Sequence, residues 1–174
     1  MAIKKIIEDT KEALANDPAA TRAAFTTDSD LVGLVQVDVT IGDHTVPVDE
    51  PSGLGGGGTA PNPVEYALAS LGSCQAITYR VWADKLGIRL DRVRVRVDGD
   101  LDLQGFFGFD GSVRPGFHGV EVEVELEGPE DPAVYEELAE AVNDHCPVLD
   151  IFRNPVPVDS RVAVTTTVEP ATEA

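Results

Sequence analysis

Residues 61–87, PNPVEYALASLGSCQAITYRVWADKLG, constrain the fold more than any other stretch of the chain. Asn62 is a favourable helix N-cap because its side-chain oxygen can accept from an unpaired backbone N–H of the first turn. Pro63 suits the first helical position, and Glu65, three residues after the cap, completes the pattern of a capping box. Gly87 is a natural stop. The spacing therefore predicts one helix over residues 63–86, roughly 36 Å long at 1.5 Å per residue, which is the width of a small domain. Its middle, ALASLGSCQAI, contains no charged residue, so it is expected to be surrounded by protein rather than to lie on a surface.

The rest of the chain arranges itself around that element. AIKKIIEDTKEALAND places Ile3, Ile6, Ile7 and Leu14 on one face of an amphipathic helix. LVGLVQVDVTIGDHTVPVDEP reads as two strands turning near Gly42 and Asp43. PSGLGGGGTAPNP, without the Gly-Lys-Ser/Thr of a phosphate loop, reads as a mobile connector. LDRVRVRVDGDLDL alternates Val93, Val95 and Val97 with Arg92, Arg94 and Arg96, whereas HGVEVEVELEG sets Val120, Val122, Val124 and Leu126 against Glu121, Glu123 and Glu125. Opposite charges on facing rows make these two antiparallel neighbours. GFFGFDGSVRPGF links them as a glycine- and phenylalanine-rich loop. DPAVYEELAEAVNDHC reads as a second helix capped by Asp131, Pro147 suits a break or a fresh short helix starting at Cys146, and RVAVTTTV reads as a closing strand. The expected class is α+β, with a helical segment over residues 1–30 and a single domain over residues 31–170.

Composition narrows the function. The formal net charge of −18 over 174 residues argues against a nucleic-acid or anionic-membrane partner, both of which need a positive surface. No stretch approaches the roughly 18 apolar residues of a membrane span, and the charged N-terminal residues lack an apolar signal core, so a cytoplasmic location is expected. Two cysteines are too few for a disulfide-stapled scaffold and supply too few ligands for zinc.

The candidate chemistry is that pair. Cys74 sits mid-helix with Ser70, Leu71 and Thr78 on its face, where the helix dipole does nothing for a thiol and activation must come from a neighbouring cation or donor. Glu65 falls on the opposite face and suits capping. Cys146 follows His145, a possible base, and precedes Pro147. Arg80 lies about 120° round the helix from Cys74, while Arg114, in the glycine-rich loop, can reach a pocket. His44 and His118 have no spacing that suggests metal ligands, and no GxSxG motif appears. Two core thiols, a structural disulfide and a redox couple all remain open on these residues alone.

PNPVEYALASLGSC, GDLDLQGFFGFDGSVRPGF and HCPVLDIFRNPVPV, in this order, resemble the OsmC/Ohr family of osmotically induced and organic-hydroperoxide-resistance proteins, over roughly residues 31–168, and most closely an OsmC-like branch. The resemblance implies an OsmC-like fold: an intertwined homodimer with two long central helices packed between antiparallel sheets. It implies a thiol peroxidase in which Cys74 attacks an organic or hydrogen peroxide and Cys146 resolves the sulfenic acid as a disulfide. It implies no bound cofactor; a dithiol reductant, a lipoyl or thioredoxin-like protein, is the co-substrate that resets the pair. Glu65, Arg80, Arg114 and His145 are the candidate supporting residues. Two positions depart from the peroxidase pattern: LVGLVQVDVTIG contains no arginine, and the residue after Asn62-Pro63 is Val64, with the glutamate one place later. A fold that keeps the pocket but serves as a redox sensor or apolar-ligand binder is the alternative, with LGGGGT and GFFGF as pocket walls; a purely structural dimer is a third.

Overall fold

The computed structural model describes residues 3–166. The long helix, α2, runs Pro63–Leu86 and ends at Gly87, whose φ of 74° is the left-handed stop the sequence predicts. Its capping box is complete: the Glu65 N–H donates to the Asn62 side chain at 2.9 Å, and the Glu65 carboxylate accepts from the Asn62 N–H at 2.8 Å. Leu71, Gln75, Thr78, Tyr79 and Ala83 are buried along it.

The strands form two antiparallel sheets. In one, β4 (Arg92–Asp100) pairs with β5 (Gly119–Glu127) in a register that sets Arg92 opposite Glu127, Arg94 opposite Glu125 and Arg96 opposite Glu123. Arg92 and Arg94 reach their opposite carboxylates at 2.6 and 3.4 Å, while Arg96 turns back along its own strand to Asp98. The other face of the ribbon carries the valines, and α2 lies against it. Gly72 makes that approach possible, since a Cβ there would sit 3.2 Å from a Val97 methyl.

In the second sheet β1 (Thr27–Leu31), β2 (Val37–Ile41) and β3 (His44–Val48) follow in order. Ile41 pairs with His44, so Gly42 and Asp43 form the turn as expected. The extra strand is β1. Its TDSDL sequence has no apolar alternation and every residue is exposed, so only backbone pairing with β2 makes it a strand.

Helices α4 (Pro132–His145) and α5 (Pro147–Arg153) pack on α2. Asp131 caps α4 by accepting from the Ala133 N–H at 3.1 Å. The amphipathic α1 (Ile3–Asn16) lies beside α2 with Ile3, Ile7 and Leu14 half-buried, and a four-residue turn of helix, α3 (Leu103–Phe106), interrupts the loop between β4 and β5. The core has two parts. Tyr79, Ala83, Leu90, Leu138 and Val142 form one; Leu71, Cys146 and Leu149 form the other, with Cys74, Val97 and Val122 packed on it.

Two expectations need correction. The predicted closing strand is absent: residues 155–166 form neither helix nor strand, and the remainder of RVAVTTTV lies outside the described residues. Valine alternation supplies only the side-chain pattern of a strand; a strand also needs a backbone partner, and among the described residues none of the five strands pairs with this segment. Val158, Val162 and Val164 consequently stand in solvent. The glycine-rich connector, in turn, is tied down rather than mobile. Asp49, 1% exposed, accepts from the N–H groups of Glu50, Gly57 and Thr59 and from the Thr59 hydroxyl at 2.9–3.1 Å. These bonds hold its carboxyl at a pKa of about 2, with the Thr59 N–H the largest cause.

Candidate active site

The site is built where α2 meets the corner between α4 and α5. Pro147 has no N–H to continue α4, so the helix ends at His145 and a new one begins with Pro147 at its first position. Cys146 is the shared cap residue, with extended φ and ψ of −81° and 111°. Its backbone is satisfied on both sides: its N–H donates to the Val142 carbonyl at 2.9 Å, and its carbonyl accepts from the Asp150 N–H at 3.0 Å. The side chain points inward between Leu71 and Leu149 and is 2% exposed.

Cys74 comes to the same place from α2. The two sulfurs are 3.5 Å apart, both thiols free. Cys74 is the more open of the two. Burial pushes the Cys146 thiol up, and the neighbouring Cys74 adds to the rise. Thr78, one turn along α2, donates its hydroxyl to the Cys74 carbonyl at 2.7 Å and stands beside the Cys146 sulfur. The pair therefore divides into one partly accessible sulfur and one enclosed thiol that keeps its proton.

The four supporting candidates are not gathered at the sulfurs. Glu65 is engaged in the capping box. Arg80 donates to the Leu90 carbonyl and pairs with Asp84 at 3.6 Å, so it braces the end of α2. His145 turns outward: its Nδ1–H donates to the Ala141 carbonyl at 2.8 Å and its ring lies 4.2 Å from that of Trp82. The opposing pull is that of an aromatic surface, which also holds the Lys85 ammonium 3.6 Å from its centre. Arg114 lines an open cleft of about 990 Å³ together with Phe117, Val120, Gln75 and Phe152. Leu71 and Leu149 border that cleft and pack on Cys146, but neither cysteine lines it. Nor do LGGGGT and GFFGF, the walls expected from the sequence; instead Phe107 stacks on Phe109 and meets Phe106 edge-on, all three exposed.

Sequence reasoning missed Asp49, which looked like one more surface acid in a chain rich in them.

A family model described as OsmC-like protein matches residues 55–161, more than half of the chain, and spans both cysteines. Among solved structures, the chain is similar to an OsmC-like protein from Mycoplasma pneumoniae at a TM-score of 0.68 and 14% identity, covering 78% of this chain and 91% of that one. An organic hydroperoxide resistance protein OsmC from Legionella pneumophila matches at 0.59 and 22%, covering 75% and 90%. One from Elizabethkingia anophelis matches at 0.58 and 20%, covering 78% and 91%. At these identities the likeness establishes the fold. No curated protein sequence matches significantly.

Proposed function

This chain belongs to the OsmC-like family, and from that premise and the meeting of its two thiols we propose that it is a thiol-dependent peroxidase acting on organic hydroperoxides or hydrogen peroxide. The single observation that carries the reading is the 3.5 Å between the Cys74 and Cys146 sulfurs, brought together from two different helices. The names of the Legionella and Elizabethkingia relatives agree with it.

The Cys74 thiolate attacks the terminal peroxide oxygen, the O–O bond breaks, and the departing alkoxide takes a proton from solvent to leave as the alcohol. Cys74 is now a sulfenic acid. The Cys146 sulfur attacks it, forming the disulfide, while its thiol proton and the sulfenic hydroxyl leave as water. A dithiol reductant, a lipoyl or thioredoxin-like protein, then exchanges with the disulfide and frees both thiols. Exposure orders the roles: the accessible sulfur meets the peroxide, and the enclosed one can only meet Cys74.

The working form is a cytoplasmic homodimer. Large apolar side chains such as Phe25, Leu34, Val162 and Val164 are more than 80% or close to 80% exposed in the single chain, more apolar surface than a monomer keeps in water. Among the described residues no helix is long and apolar enough to cross a membrane.

The test is intact mass and free-thiol count before and after one equivalent of cumene hydroperoxide. The peroxidase reading expects both thiols lost, no peroxide consumption by Cys74→Ser, and one turnover followed by stalling in Cys146→Ser. Two free thiols after minutes of exposure would sink it. A redox sensor is the second reading, favoured by Glu65 and Arg80 being engaged away from the sulfurs. It predicts a reversible disulfide without sustained turnover in the presence of reductant.

A further inference from the structure

We propose that Cys146 acts before it forms any bond to Cys74: in the reduced protein its S–H donates to the Cys74 sulfur and holds that sulfur as the thiolate, so that the resolving thiol is also the positioning residue of the nucleophile. The inference rests on the peroxidase reading and supplies the activating group that reading lacks.

A mid-helix thiol needs a cation or a hydrogen-bond donor to ionise near neutral pH. The charged candidates are used elsewhere: Arg80 on Leu90 and Asp84, His145 on Ala141 and Trp82. The side chains packed around the pair, Leu71, Leu149, Val97 and Val122 among them, are apolar, and the Thr78 hydroxyl beside them is committed as a donor to the Cys74 carbonyl at 2.7 Å. Within hydrogen-bonding reach of the Cys74 sulfur stands the Cys146 thiol, at 3.5 Å, as donor.

Two features fix the direction of that bond. Pro147 sets the helix corner that aims the side chain at α2. Burial at 2% exposure keeps the proton on Cys146, so it remains the donor, and Cys74 is the more open of the two. A hydrogen bond to a charged acceptor is stronger than a neutral one, and in these apolar surroundings water does not compete freely for the same sulfur. The proton is not spent in the attack on peroxide. It leaves later, in the water released when the disulfide forms, so a single hydrogen serves activation and then resolution.

The experiment is the pH profile of Cys74 alkylation by iodoacetamide, read on the Cys74 peptide by mass spectrometry, in reduced wild type, Cys146→Ser, Cys146→Ala and Cys146→Val. Serine keeps a donor. Alanine removes it, and valine removes it while filling the space, so that a folded non-donor is at hand; thermal melts establish which variants are folded. Loss of the donor is expected to slow alkylation at neutral pH by about tenfold, one unit of midpoint, with serine restoring most of the rate. Superimposable profiles for wild type and a folded non-donor variant overturn the proposal, as does a serine profile no better than valine. A flat result in a protein that still consumes peroxide leaves the peroxidase reading standing. A shifted profile in a protein that consumes none supports the donor and sinks that reading instead.

Discussion

Asp49 shows what one buried carboxylate does for a loop that composition alone would leave loose. Its oxygens gather three backbone N–H groups and a hydroxyl, fixing residues 57–59 against the end of β3. Gly56 belongs to the same device, because a Cβ there would fall on the Glu50 carbonyl. The folded pKa, lowered to about 2 from 3.8, means that this stabilisation is fully present above about pH 4 and is lost as the pH falls through 2. The difference in melting temperature between wild type and Asp49→Asn is therefore expected to be constant from neutral pH to about 4 and to shrink below it. A difference that holds unchanged down to pH 2 would show that the charge does not matter there. The same residue scale governs the thiols. Their types were legible as candidates, but His145 was legible only as a neighbour in sequence, and the helix corner sends consecutive side chains in different directions.

At the scale of elements, α2 was readable almost to the residue because its signals are local: a cap, a proline, a glutamate three places on and a terminal glycine act within one or two turns. Removing the cap in Asn62→Ala is expected to cost about 1 kcal/mol, measured by denaturant titration; an unchanged midpoint would contradict the capping box. Gly72 tests the packing of the same helix on β4. Gly72→Leu is expected to destabilise by at least about 1–3 kcal/mol through overpacking against Val95 and Val97. The two core clusters separate scaffold from chemistry. Leu138→Ala, fully buried in the first cluster, is expected to cost about 2–5 kcal/mol while leaving the Cys74 alkylation profile of the folded protein unchanged. A shifted profile would mean the clusters are coupled. The strands β4 and β5 were equally legible, since alternation and opposite charges declare both faces and the partner. The strand β1 was not, because pairing alone makes it one.

For the whole molecule, a net charge of −18 sets a field that every fold decision must bear. Self-repulsion between like charges weakens as salt screens it, so the melting temperature is expected to rise from low to molar sodium chloride; a flat or falling curve would place the acids in compensated pairs. The sequence by itself determined the α+β class, the bounds of the central helix, the pairing of the charged ribbon and the presence of two thiols worth pursuing. Each of these follows from periodicity or from caps acting over a few residues. Tertiary structure alone decided that the thiols stand 3.5 Å apart, that Glu65, Arg80 and His145 are committed elsewhere, that Asp49 ties down the glycine-rich loop, and that among the described residues Val158, Val162 and Val164 find no strand to join. These are distances and pairings between residues far apart in the chain, and they exist only once the helices and sheets have packed.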